Sequence, residues 1–170
     1  MNEKILNRAV LCYLVKNGEV NLPMKKEKIG SGFRNGYGGG VRSNESPNAC
    51  AVREALEEGR IKTWVEDLEP IALLHCHNRT EEGKNFLCAV HVFQTKFWLG
   101  EPQETAEMGP PAWFPISHLP LEELMLTDRI WLPRFFRDQK LLFVKACYGP
   151  RQQTLAGEVE IEEVAALPEE

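Results

Sequence analysis

Three glutamates, Glu54, Glu57 and Glu58, follow Arg53 within one short stretch of the chain. If residues 47–58 form a helix, positions i, i+3 and i+4 are neighbours, so the three carboxylates share one face. Carboxylates grouped on a rigid helix supply the oxygen ligands that Mg²⁺ prefers, and they leave coordination places for water and phosphate. Taken alone, the pattern is more typical of a solvated acidic face on an amphipathic helix. The flanking residues must therefore decide between the two interpretations.

The predicted helix has clear start and stop signals. Ser46 is placed to cap its first turn, Pro47 suits the first helical position, and Gly59 favours a stop. Arg53 can pair with Glu57 four residues on, which offsets part of the repulsion among the carboxylates. Periodicity at 100° per residue puts these residues on the core side, opposite the glutamates: Ala49, Val52, Ala55 and Leu56.

The spacing around this helix resembles the Nudix box, Gly-x5-Glu-x7-Arg-Glu-U-x-Glu-Glu-x-Gly-U, where U is apolar. Its fixed positions are filled by Gly39, Glu45, Arg53, Glu54, Glu57 and Glu58, and its apolar positions by Ala55 and Ile61. One position departs: Arg60 stands where the second glycine is expected, and Gly59 comes one place early. The departure concerns the turn after the helix and leaves the carboxylates in place.

The likeness extends over nearly the whole chain and is greatest to the 8-oxo-dGTP diphosphatases of the MutT type. The segments that carry it lie at 24–26, 30–32, 35–39, 90–93, 107–108, 113–114, 126–128 and 131–133. The resemblance implies an α+β Nudix fold, in which a mixed β-sheet is sandwiched between helices. It also implies hydrolysis of a nucleoside triphosphate.

The resemblance implies a magnesium site, which manganese could also occupy. The residues expected to hold the ion are Glu54, Glu57, Glu58, Glu107 and the carbonyl of Gly38. Arg53 is expected to orient a glutamate, and Glu45 to be structural. Magnesium lowers the pKa of a bound water, and a carboxylate not fully used by the ion can take its proton. Glu57, Glu58 and Glu107 all remain candidates for that general base.

Substrate contacts are implied in the same way. Asn35 and Asp128, the latter next to Thr127, are expected to contact the base, with Trp131 packed near it. Lys25 or Lys26 could stabilise charge on the phosphates. Lysines at a strand end are more often ordinary surface residues, so both interpretations stay open.

Three positions depart from the vertebrate members of this group. Thr127 stands where they have a second aspartate, Met125 where they have a tryptophan, and Gly40 where they have a lysine. Loss of the second aspartate predicts a narrower base preference, for oxidised guanine over 2-hydroxyadenine.

The remaining elements are predicted from periodicity and turn signals. Strands are expected at 9–15, 19–24, 71–77, 86–97, 112–115, 141–147 and 158–164, and a second helix at 131–139. Asn17-Gly18 predicts a hairpin turn, and the glycine-rich stretch 30–40 predicts a loop. Nothing in the pattern divides the chain, so residues 1–170 are expected to form a single Nudix hydrolase domain.

Bulk properties narrow the partners. A net charge of −5 disfavours a nucleic-acid polymer, which needs a basic surface. No apolar stretch predicts a membrane span or a signal peptide, and five cysteines without a C-x-x-C pair indicate a reduced, cytoplasmic protein. A zinc site at His75-Cys76-His77 is disfavoured because adjacent strand residues point to opposite faces. The oligomeric state stays open.

The sequence therefore predicts a magnesium-dependent enzyme that hydrolyses oxidised purine nucleoside triphosphates to a monophosphate and pyrophosphate. Such an enzyme would sanitise the nucleotide pool and so support DNA repair. A pyrophosphatase for a nucleotide sugar or a dinucleotide is the alternative within the family. A catalytically silent nucleotide-binding module is a third possibility, which the three intact box glutamates disfavour.

Overall fold

The computed structural model describes residues 3–170. Its strands are β1 (Arg8–Lys16), β2 (Glu19–Asn21), β3 (Tyr37–Gly40), β4 (Leu68–Arg79), β5 (Asn85–Thr95), β6 (Trp113–Pro115), β7 (Leu142–Pro150) and β8 (Glu160–Glu163). Its helices are α1 (Pro47–Gly59) and α2 (Asp128–Asp138), with single 3-10 turns at Val65–Asp67 and Leu121–Glu123.

The strands form one mixed sheet. Their order is β6-β2-β1-β5-β4-β7-β8. β3 lies outside this order and pairs with the first half of β1, whereas β2 pairs with the end of β1. β1 runs parallel to β5, and β4 runs parallel to β7, whereas the other pairs are antiparallel. The predicted mixed sheet is confirmed.

The two helices cover opposite faces of this sheet, as the alternation of β1 side chains shows. Val10 and Cys12 pack with Cys50 and Ala51 of α1. Leu11 and Tyr13 alternate with these residues, so their side chains point to the opposite face of the sheet. There they pack in the hydrophobic cluster that α2 covers. The predicted placement of helices on both sides of the sheet is therefore confirmed. Among the described helices, none is long and apolar enough to cross a membrane.

The prediction of a loop over 30–40 is wrong at its end. Tyr37–Gly40 form β3, whose residues pair with Ala9–Cys12 of β1. Glycines give no alternating apolar pattern, so the strand could not be recognised by period. Four other bounds shift by three residues: β2 ends at Asn21, β4 begins at Leu68, β7 ends at Pro150, and α2 begins at Asp128, before its predicted start. Pro133 consequently lies inside α2 and not in its first turn.

The predicted core face of α1 is also wrong in part. Leu56 is 50% exposed and Ala49 is exposed. The buried residues of the helix are Cys50, Ala51, Glu54, Ala55, Glu58 and Gly59. The helix is thus rotated so that Glu54 and Glu58 turn inward toward β3, where polar partners receive them.

Candidate active site

α1 starts and stops where its local sequence predicts. The Ser46 hydroxyl accepts a hydrogen bond from the Ala49 N–H at 3.1 Å and caps the first turn. Arg60 ends the helix in the left-handed region, at φ 59° and ψ 27°, and its N–H reaches the carbonyls of Ala55 and Leu56. The position that holds glycine in the Nudix box therefore keeps a glycine-like conformation here, despite its side chain.

We expect Arg60→Gly to raise the free energy of unfolding by about 0.5–1 kcal/mol. The left-handed conformation costs a non-glycine residue about 1–2 kcal/mol, and the greater chain entropy of glycine offsets part of that gain. Urea denaturation measures the change. Arg60→Ala is the matched control, because it removes the same side chain but keeps the Cβ atom that causes the strain. Equal stabilisation by both variants would assign the effect to the lost side chain.

Arg53 organises the carboxylates around it. Its guanidinium donates to Glu45 at 2.7 and 3.0 Å, to Glu54 at 2.8 Å and to Glu57 at 3.2 Å, and it also reaches the Gly40 carbonyl at 3.2 Å. The Arg53 hydrogen bonds lower the pKa of Glu45 to about 2. Glu45 therefore stays ionised and holds Arg53, which in turn orients Glu54 and Glu57.

β3 lies so close to β1 and α1 that no side chain fits at Gly38 or Gly39. A Cβ atom on Gly38 would lie 2.1 Å from the Val10 carbonyl oxygen, and one on Gly39 would lie 2.3 Å from Oε1 of Glu54. The Gly38 N–H donates to Oε1 of Glu58 at 2.7 Å. Since the N–H and C=O of one residue point the same way in an antiparallel pair, the Gly38 carbonyl also faces away from β1. It is therefore free to act as an oxygen ligand.

Burial and mutual repulsion dominate the electrostatics of this end of the site. Glu58 is only 3% exposed. Its pKa rises to about 8, first because of burial and next because the Glu107 carboxyl lies in hydrogen-bonding range. Burial also raises the pKa of Glu54, although Arg53 opposes that shift. Burial disfavours the ionised forms of these carboxyl groups, and a divalent cation beside them would favour those forms.

The carboxylate side chains of this site do not converge on a single point. Within residues 3–170, no group of three or more histidine, cysteine, aspartate or glutamate side chains is already arranged to hold a metal ion. Glu57 is half exposed and pairs with Arg53 and, at 3.8 Å, with Arg42. Glu107 lies 3.8 Å from Lys28. Glu54, Glu58 and Gly38 lie at the inner end of this acidic cluster, and the more exposed Glu57 and Glu107 lie on its margin.

A cleft of about 190 Å³ extends from this acidic end across the sheet. Glu58, Gly38 and Lys25 line one part of it, and Asn35 and Asp128 line another. The cleft thus contains two of the predicted metal-binding residues, Gly38 and Glu58, together with Asn35 and Asp128. The other predicted metal-binding residues do not line it: Glu54, Glu57 and Glu107.

The two predicted base contacts that line the cleft, Asn35 and Asp128, are held by buried hydrogen bonds. Oδ1 of Asn35 accepts from the Tyr13 hydroxyl at 3.0 Å and from the Gly36 N–H at 2.8 Å. Oδ1 of Asp128 accepts from Nε1 of Trp131 at 2.9 Å. Burial raises the pKa of Asp128 to about 6. Its protonation state therefore changes close to neutral pH.

Two residues assigned to the substrate lie behind the cleft wall. Trp131 has no exposed surface and packs edge-on against Tyr13. Thr127 is buried and shares a hydrogen bond with the Tyr148 hydroxyl. Neither is among the residues that line the cleft. Trp131 can act on a base only through Asp128, and Thr127 only through its neighbours.

The two lysines take different positions. Lys25 lines the cleft, and burial lowers its pKa while the nearby Glu58 carboxylate opposes that shift. Lys26 is exposed, donates to the Thr105 carbonyl at 2.8 Å and pairs with Glu104 at 3.2 Å. Lys25 is therefore the lysine placed to meet a phosphate.

Sequence reasoning missed several residues of the cleft wall. They are Asn78 and Cys76 on β4, Cys88 on β5, Tyr148 on β7, and Gln152 in the loop that follows β7. The alternation of 74, 76 and 78 on one strand face is the signal that could have found the β4 residues. No local pattern indicated Gln152.

Comparison with known proteins is consistent with this architecture. The family model described as NUDIX domain matches residues 5–135. The oxidized purine nucleoside triphosphate hydrolase of Danio rerio is 34% identical over 132 residues, which cover 78% of this chain and 81% of that protein. The Mus musculus protein of the same name is 33% identical over 131 residues, covering 76% and 80%. The crystal structure of a MutT protein from Bacillus halodurans superposes with a TM-score of 0.76 at 22% identity, covering 92% of this chain and 98% of that one.

Proposed function

Since the chain belongs to the Nudix family and is a hydrolase, we propose that it cleaves oxidised purine nucleoside triphosphates in a magnesium-dependent reaction. The products are a nucleoside monophosphate and pyrophosphate. One observation carries the proposal: a single cleft is lined both by the buried Glu58 of α1 and by the buried base-facing pair Asn35 and Asp128. The names of the two animal relatives point to the same substrate class.

The acidic end of the cleft is the proposed phosphate site. Glu54, Glu58 and the Gly38 carbonyl hold the ion, with Glu57 and Glu107 completing its surroundings. When bound, magnesium neutralises phosphate charge and lowers the pKa of a coordinated water. Lys25 places a further positive charge against the phosphates, and Glu58 or Glu107 is placed to receive a proton.

The buried end is the proposed base site. An ionised aspartate accepts hydrogen bonds only, whereas guanine presents N1–H and N2–H₂ donors on one edge. Asp128 meets that edge, and the amide nitrogen of Asn35 is left to donate, because its oxygen already accepts two bonds. The proposal includes a cytoplasmic location, since all five cysteines have free thiols.

A substrate panel tests the proposal. We expect kcat/KM for 8-oxo-dGTP to exceed that for dGTP, 2-hydroxy-dATP, a nucleotide sugar and a dinucleoside polyphosphate. Activity should need added Mg²⁺ and disappear with a chelator. Chromatography should show the monophosphate together with pyrophosphate, because cleavage is expected between the α- and β-phosphates.

Two results would contradict this. Inorganic phosphate released with a nucleoside diphosphate would refute the cleavage position. A higher kcat/KM for the nucleotide sugar or the dinucleotide would replace the proposed substrate with another one of the family.

A further inference from the structure

The loop between β7 and β8 holds two residues in an unusual backbone conformation. Arg151 has φ 54° and Gln152 has φ 56°, so neighbouring non-glycine residues both adopt the left-handed region. The Gln153 N–H donates to the Pro150 carbonyl at 3.2 Å, which closes a two-residue turn between them. Turns of this type usually contain asparagine and glycine at these positions. Strain of this kind persists where the surroundings hold it, and it often marks functional sites.

The turn aims Gln152 into the proposed nucleotide cleft. Its Nε2 donates to Oδ1 of Asn78 at 2.8 Å, and Nδ2 of Asn78 donates to the Cys76 carbonyl at 3.0 Å. Asn78 is only 8% exposed, so this chain of bonds is anchored in the sheet. Gln152 and Asn78 line the same cleft as Asp128. The Gln152 carboxamide is therefore held in a fixed position in the wall of this cleft.

Three carboxamide side chains line this cleft, and they differ in which of their hydrogen-bond donors and acceptors are unpaired. The Asn35 oxygen already accepts two hydrogen bonds. Asn78 is engaged at both ends, as donor to Cys76 and as acceptor from Gln152. Among the described residues, Oε1 of Gln152 has no hydrogen-bond donor, and one N–H of its amide is also unused. Gln152 thus offers the ligand an adjacent donor and acceptor.

We propose that Gln152 is a further specificity-determining residue, which reads the oxidised edge of an 8-oxopurine. In an 8-oxopurine N7 carries a hydrogen and C8 carries an oxygen. The N7–H donates to Oε1 of Gln152, and the Gln152 amide N–H donates to O8. An unmodified purine has a bare N7 acceptor and a C8–H, so it cannot complete this pair. The inference rests on the proposed function, and it places Gln152 and Asp128 on two different edges of the base.

Binding of monophosphates tests the inference without relying on turnover. Affinities for 8-oxo-dGMP and dGMP are measured by calorimetry with the full chain, Gln152→Leu and Gln152→Glu. Gln153→Leu is the matched control, since it makes the same change one residue along the turn and outside the cleft lining. Thermal midpoints establish that each variant is folded.

We expect Gln152→Leu to weaken binding of 8-oxo-dGMP about tenfold and of dGMP less than about twofold, because a polar edge is left unpaired. Gln152→Glu keeps an acceptor for N7–H but repels O8, so a similar loss is expected. Gln153→Leu should match the parent. An unchanged affinity ratio in Gln152→Leu, or an equal loss for both nucleotides, would overturn the inference.

Turnover of 8-oxo-dGTP by the parent protein is recorded in parallel. Gln152-dependent discrimination without hydrolysis would refute the proposed function and leave the inference standing. Hydrolysis by the parent protein, with a ratio of 8-oxo-dGMP to dGMP affinity that Gln152→Leu leaves unchanged, would overturn the inference and leave the proposed function standing. Failure of the parent to bind either monophosphate would overturn the inference.

Discussion

Exchanging Glu58 for glutamine is expected to lower kcat by about a hundredfold or more while the protein stays folded. The carboxylate is buried beside Glu54 and Glu107 at the acidic end of the cleft. We propose that it holds magnesium or receives a proton, and groups of either kind contribute several kcal/mol to phosphoryl chemistry. Glutamine keeps an oxygen that can accept from the Gly38 N–H, so local packing is preserved.

The thermal midpoint of the metal-free protein separates this effect from misfolding. Because burial raises the pKa of Glu58, a neutral side chain at this position should not lower that midpoint. Glu57→Gln is also expected to lower turnover by about two orders of magnitude as a proposed metal-binding residue. Glu66→Gln, the same change at an exposed site away from the cleft, is the control. Near-normal turnover in both α1 variants would remove the helix from the mechanism.

Asp128→Asn is expected to abolish most of the preference for guanine bases. An ionised Asp128 accepts from both donors on the guanine edge, whereas asparagine presents an amide that can oppose one of them. An unpaired polar edge costs about 1–3 kcal/mol, so kcat/KM for 8-oxo-dGTP should fall roughly 5- to 150-fold. Activity on 2-hydroxy-dATP should change less. Equal rates on all substrates in the parent, unaltered in the variant, would show that Asp128 does not read the base.

The pH profile gives this prediction a second readout. The pKa of Asp128 is raised to about 6 by burial, so the side chain is protonated below that pH and ionised above it. Only the ionised form accepts both guanine donors. We therefore expect kcat/KM for 8-oxo-dGTP to rise as pH increases through about 6. The Asn variant, which has no titrating group at this position, should lose that step.

Local signals in the sequence were enough to predict the elements with distinct ends. Ser46-Pro47 and Gly59 predicted the two ends of α1, the second to within one residue, and Asn17-Gly18 indicated the first hairpin. Apolar periodicity located the long strands, because each buries one or both faces in the sheet. The box spacing then brought together residues that the fold does place on one helix and one strand.

What periodicity missed has a physical cause in each case. β3 consists largely of glycine and is defined by a partner, β1, that is distant in sequence. The buried face of α1 contains Glu54 and Glu58, so a rule that places apolar residues inside assigned the face incorrectly. Gln152 sits in a turn whose left-handed backbone, together with a hydrogen bond to the distant Asn78, directs it into the cleft. Contacts between residues that are distant in sequence produce no local sequence pattern from which they could be predicted.

The glycine strand β3 also affects how genetic variants of this chain are interpreted. Any side chain at Gly39 would occupy the space of the Glu54 carboxylate, and any at Gly38 would collide with β1. An inactive Gly38 or Gly39 variant therefore reports displacement of its neighbours, and it is not by itself proof that the glycine contacts substrate. For the same reason, we expect Gly39 and Glu54 to change among homologues only together, whereas the clash at Gly38 is with backbone and cannot be relieved by a second substitution.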